Sequence, residues 1–131
     1  MCRTVRENDV TRERKPDPRD WLPLPPADLQ LLLAVRDEAL HGYAMMKAVE
    51  VQSGGALSVE LGSLYRMIQR LERDGLIEEA RVASAVSNPG RDRRYYRITM
   101  LGRQVVKAEL ERLKAVIELA GGRGLVPRGA R

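Results

Sequence analysis

A mainly α-helical chain with one small β-hairpin is what this sequence predicts, on three observations. Apolar residues recur at helical spacing through 61–71. The pattern then changes to a period of two across 76–82 and 93–99, on either side of the turn-forming cluster Ser87, Asn88, Pro89 and Gly90. From Thr99 to about residue 120 it returns to helical spacing. The segment before these, residues 1–24, mixes charges of both signs with Pro16 and Pro18 and has no apolar period, so a flexible N-terminal tail is expected. Trp21, Leu22 and Leu24 form an apolar cluster within it that is expected to pack on the domain.

A first helix is expected over about 27–37, with prolines ahead of it and Asp28 near its positive end. Leu29, Leu31, Leu32, Leu33 and Val35 make this helix apolar nearly all round, which requires cover on more than one side. A second helix over 42–52 carries Ala44, Ala48 and Val51 on one face with Met45 and Val49 beside them. His41 is the single histidine, and no nucleophile or second ligand accompanies it, so it is expected to cap or pack. Residues 56–59 are expected to form a short strand beside the hairpin, with Ser58 or Glu60 opening the helix that follows.

That third helix has two distinct faces. Leu61, Leu64, Ile68 and Leu71 form the stripe expected to be buried, with Met67 at its edge. Opposite them, at spacings of four, three and four, lie Gly62, Arg66, Gln69 and Arg73, flanked by Ser63 and Arg70. Arg and Gln carry forked donors and acceptors that match guanine and adenine edges, and Gly62 lets a backbone approach a phosphate. Asp74-Gly75 is the expected helix stop. In the second strand of the hairpin, Tyr96 and Ile98 share one face and Arg93, Tyr95 and Arg97 the other. Arg91, Arg93, Arg94 and Arg97 stand against the single acid Asp92, which makes this hairpin a cationic wing suited to a phosphate backbone or a minor groove. A helix pair whose second member has a cationic face, followed by a basic hairpin, is the winged helix-turn-helix arrangement, and its natural partner is double-stranded DNA. Tyr43 and Lys47, one turn apart on the second helix, are placed to donate to phosphates.

Thr99 is a suitable N-cap for the last helix. Along it Val106, Leu110, Leu113, Ile117 and Ala120 recur at four, three, four and three, and Leu101, Val105, Val116 and Leu119 add further apolar surface. A domain this small can hardly bury all of that, so a symmetric homodimer is expected through Leu29, Leu32 and Leu33 of the first helix and Val106, Leu110, Leu113 and Ile117 of the last. The expected organisation is a tail over 1–24, a winged helix-turn-helix domain over 25–99, a dimerisation helix over 100–120 and a flexible C-terminal tail over 121–131.

Composition excludes several classes. At 131 residues the chain is small for most enzymes, and it has no glycine-rich phosphate loop and no paired carboxylates at a strand end. The formal charge of +5 favours an anionic partner. The lone Cys2 makes no internal disulfide, no zinc-ligand spacing is present and no cofactor is called for, which fits a reducing, cytoplasmic location. No apolar run approaches the roughly 20 residues of a membrane span. The other class compatible with this fold is a protein-interaction module, which an acidic face on the third helix would have favoured.

The motifs HGY at 41–43, GSLY at 62–65, RLERDGLI at 70–77, RRYYRIT at 93–99 and LG at 101–102 together resemble the PadR family of bacterial transcriptional regulators, over about 28–120. The resemblance implies a homodimeric, repressor-like protein whose recognition helix enters the major groove and whose wing contacts the flanking backbone. It supports Tyr43 as a DNA contact and adds Tyr65 of the GSLY motif to the candidates. Occlusion of a promoter by a dimer seated on a dyad-symmetric operator is the mechanism expected. Some members of the family respond to phenolic or drug-like ligands through interface aromatics, but this chain has no Phe and no aromatic in its last helix, so a multidrug pocket is not expected and the effector stays open.

Overall fold

The computed structural model describes residues 16–81, 94–121 and 125. A short 3₁₀ turn, Pro18–Trp21, leads into helix α1 (Pro26–Ala34), strand β1 (Leu40–His41), helix α2 (Gly42–Gln52), helix α3 (Leu61–Arg73), strands β2 (Ile77–Ala80) and β3 (Tyr95–Ile98), and the long helix α4 (Met100–Gly121). The strands form one antiparallel sheet in the order β1-β3-β2. This is the winged helix fold, mainly α with a small sheet.

Helix α1 starts as its prolines dictate, with Pro26 in the first turn. It stops three residues short of the expected end, because the next carbonyls are used elsewhere. The carbonyl of Val35 accepts from the Ile98 amide at 3.4 Å and that of Arg36 from the Arg103 guanidinium at 2.6 Å, so the chain turns toward β3 and α4. The strand expected at 56–59 is not there: that segment is coil, and Leu40–His41 pairs with β3 instead, Leu40 opposite Tyr96 and His41 opposite Tyr95. The end of α2 explains the difference. Gly54 and Gly55 adopt φ of +64° and +85°, the Gly55 amide donates to Glu50 and the Gly54 amide to Val51, and Ser53 Oγ ties back the Leu57 amide at 3.0 Å. These bonds close the helix with a left-handed cap and hold the following residues against it.

Helix α3 opens at Glu60, whose carbonyl accepts the Leu64 amide at 2.8 Å. It closes at Asp74-Gly75 as expected, with Gly75 at φ +82° and the Leu76 amide donating to Leu71 at 3.0 Å. Thr99 caps α4 as expected, its Oγ1 accepting from the Gly102 amide at 2.9 Å while donating to the Gly75 carbonyl at 2.6 Å. One hydroxyl thereby joins the turn after α3 to the start of α4. Gly102 permits the approach, because a Cβ there would collide with the Leu76 carbonyl oxygen and with Ile98.

The core lies between these elements and includes Leu31, Leu32, Met45, Val49, Leu64, Ile68, Leu71, Ile77, Tyr96, Ile98 and Val105. Two expected members are outside it: Leu61 is 45% exposed at the first turn of α3, and Val51 is 76% exposed, since Met45 and Val49 rather than Ala44, Ala48 and Val51 carry the buried face of α2. The expected tail, residues 1–24, extends too far into the sequence, because its last residues pack on the domain. Residues 18–21 pack along α4, Trp21 Nε1 donates to Asp74 Oδ2 at 3.4 Å, and Leu24 is buried. Among the proposed interface residues, Leu32 is wholly buried and Val106 nearly so within this one chain. Area already removed from water inside one subunit is not available to a second. Leu29, Leu33 and Leu113 are half-buried, whereas Leu110 and Ile117 are exposed, as are Val116 and Leu119.

Candidate nucleic-acid interface

Helices α2 and α3 meet through their sequence motifs. The N-terminal end of α2 is fixed by His41, whose Nδ1 accepts the Ala44 amide at 3.3 Å and whose ring stands edge-on to Tyr95 at 5.3 Å. Gly42 follows, and the Tyr65 ring of α3 rests on it so closely that a Cβ at residue 42 would lie 2.9 Å from the phenolic oxygen. Tyr43, the next residue of α2, is 55% exposed, with exposed Lys47 one turn further along.

On α3, Leu64, Ile68 and Leu71 are buried, which turns the opposite row outward. Gly62, Arg66, Gln69 and Arg73 are exposed along it, and no atom lies within 4 Å of where a Gly62 Cβ would stand. Arg66 is steadied by a hydrogen bond to Ser63 Oγ at 3.2 Å. Tyr65 is 44% exposed despite its contact with Gly42.

Arg70 departs from the expectation that it joins this row. Its Nη1 and Nη2 donate to the two carboxylate oxygens of Asp28 on α1, at 2.8 and 3.0 Å. The Asp28 side chain is 3% exposed, and its hydrogen bonds raise the guanidinium above its ordinary range. The end-on fork that would grip a base is therefore occupied by the protein itself. Asp28 was legible in the sequence as a complement to the positive end of its helix. What could have revealed more is that a carboxylate in a helix apolar nearly all round must find a cation once buried.

The described part of the wing is less cationic than the sequence suggests. Arg97 Nε bonds Glu78 Oε2 at 2.8 Å directly across the strand pair, and Glu79 stands beside it on β2. Arg94 is exposed at the start of β3. Arg91 and Arg93 lie outside the described residues. Tyr96 faces inward, and burial pushes its hydroxyl pKa up.

Helix α4 holds a second buried carboxylate that the sequence pattern concealed. Glu109 is 2% exposed and accepts from Arg112 Nε at 2.7 Å and Nη2 at 2.9 Å. The Arg112 bonds hold its carboxyl below the ordinary range. No group of three or more potential metal ligands and no membrane-length apolar helix occurs among the described residues.

A helix pair with one exposed row of Gly, Arg, Gln and Arg, backed by a three-stranded wing, defines the winged helix class of regulators. The sequence profile of the transcriptional regulator PadR-like family matches residues 31–108, and the chain belongs to that family. It is a transcriptional regulator rather than an enzyme. An uncharacterized protein of Lysinibacillus sphaericus is 30% identical over 96 residues, covering 70% of this chain and 84% of that protein. Among solved structures, a PadR family transcription regulator of Clostridium difficile R20291 superposes with a TM-score of 0.60 at 18% identity, over 73% of this chain and 95% of the other. Bacillus subtilis PadR, solved in complex with operator DNA, superposes with a TM-score of 0.54 at 19% identity, over 63% of this chain and 45% of the other.

Proposed function

We propose that the protein binds double-stranded DNA as a homodimer at a dyad-symmetric operator and represses transcription by occluding the promoter. The observation that carries this reading is the exposed row of α3, Gly62, Arg66, Gln69 and Arg73, opposite a buried apolar stripe. Arg66 and Gln69 are assigned to base edges, with Ser63 holding Arg66 in place. Tyr43, Lys47, Tyr65 and Arg73 are assigned to phosphates, and Arg94, with Arg91 and Arg93, to the flanking backbone. The same fold in Bacillus subtilis PadR is bound to operator DNA, which supports the assignment.

The dimer reading rests on α4. Leu110, Val116, Ile117 and Leu119 are exposed on it, and Leu33, Val106 and Leu110 line an open groove of about 400 Å³ between α1 and α4. A second copy covering this surface would set two α3 helices on one side of the duplex, reading half-sites about one helical turn apart. Acting on chromosomal DNA, the dimer would work in the cytoplasm.

The test is selection of genomic fragments by the purified protein, starting with its own upstream region, followed by affinity against salt. A dyad-symmetric site bound at least about a thousandfold tighter than random duplex establishes a specific regulator. Sequence-blind or absent binding removes the reading.

A further inference from the structure

Arg70 sits one residue after Gln69 and one turn after Arg66, on the helix assigned to the major groove. An unrestrained arginine there would reach any phosphate nearby, and such contacts add affinity without reading sequence. Its partner in the structure is Asp28, forty-two positions earlier and on a different helix. Both carboxylate oxygens are engaged end-on by the guanidinium, at 2.8 and 3.0 Å. The Asp28 side chain is 3% exposed while Arg70 keeps 40%, so the acid is the buried anchor and the cation is held at the boundary with solvent.

We propose that Asp28 is a specificity-determining residue: it withholds the Arg70 guanidinium from the DNA backbone and leaves sequence reading to Arg66 and Gln69. The proposal rests on the DNA-binding reading above. An ion pair with a merely structural function would change stability when broken, but it would leave the count of phosphate contacts as it was. Releasing Arg70 would add a contact, and that addition is measurable as a slope.

The experiment uses the full chain and two duplexes of equal length, the selected operator and a random sequence, between about 50 and 200 mM salt. With Asp28→Ala, the slope of log K against log salt on random DNA should steepen by about one for each protomer bound, an extra loss of about threefold per contact across that range. The operator-to-random ratio should fall, because Arg66 and Gln69 hold the helix in one register on the operator, whereas on random DNA the freed guanidinium can settle on its most favourable phosphate. In Asp28→Leu/Arg70→Met no cation remains to release and no charge is left buried, so the wild-type slope should persist. A folded Asp28→Ala chain with an unchanged slope overturns the proposal. So does a double variant whose slope is shallower by about one, since Arg70 would then already touch phosphate in the wild type. If Asp28→Ala does not fold, Asp28→Asn, which keeps the side-chain shape and removes the charge, takes its place under the same criterion. A wild-type chain with no salt-dependent binding to either duplex overturns the DNA-binding reading and this proposal together.

Discussion

At the scale of single residues, two arginines on one helix have opposite assignments although they are one turn apart. Arg66 leans on Ser63 at the exposed row, and Arg70 is turned inward to Asp28. Arg66→Ala should weaken operator binding by about 1–3 kcal/mol and relax sequence preference, measured by titration of operator and single-base variants. An equal loss on operator and random duplex would make it a phosphate contact instead. Among the described glycines, Gly102 has the least room. Gly102→Ala drives a Cβ into the Leu76 carbonyl oxygen and Ile98, and backbone cannot retreat as a flexible side chain would. A loss of about 1–3 kcal/mol in denaturant unfolding is expected.

At the scale of elements, the sequence identified those whose signals are local. The 3.6-residue period, the Gly75 stop and the Thr99 cap located α3 and α4, because capping chemistry is decided within a few residues. Long-range choices were hidden. Whether residues 40–41 or 56–59 lie beside β3 depends on which segment the cap after α2 holds back, and α1 ends where Val35 is drawn to Ile98. The candidate site divided in the same way: the exposed row followed from periodicity, but the diversion of Arg70 required knowing that Asp28 is buried next to it. Leu32 was misjudged as interface because an all-apolar helix does not reveal which side its own core takes. The element with the clearest unburied surface is α4. Leu110→Asp/Ile117→Asp should convert the proposed dimer to a folded monomer in sedimentation and reduce operator affinity, since both side chains are exposed within one chain. A persistent dimer would move the interface elsewhere.

At the scale of the whole molecule, the segment before α1 joins two working parts. Trp21 reaches the C-cap of α3 through Asp74, and residues 18–21 pack along α4. The helix this segment packs along, α4, is pH-sensitive in one direction through the Glu109–Arg112 pair. The folded pKa of Glu109 lies below its unfolded value, so its contribution to stability is complete above roughly pH 4.3 and is lost as pH falls through the depressed folded value. Glu109→Gln should flatten the acid limb of stability measured by thermal unfolding from about pH 5 downward. An acid limb identical to wild type would remove Glu109 from that account. The seating of Tyr65 on Gly42 extends to inheritance. The HGY and GSLY motifs are two sides of one joint, so a methyl group at residue 42 and the ring at residue 65 compete for the same space. Gly42→Ala should therefore impair operator binding in the presence of Tyr65 but add little in a Tyr65→Ala background, a non-additive pair in a double-mutant cycle. A larger residue at position 42 is accommodated only once the ring at 65 has moved or been replaced, whereas position 65 can shrink on its own.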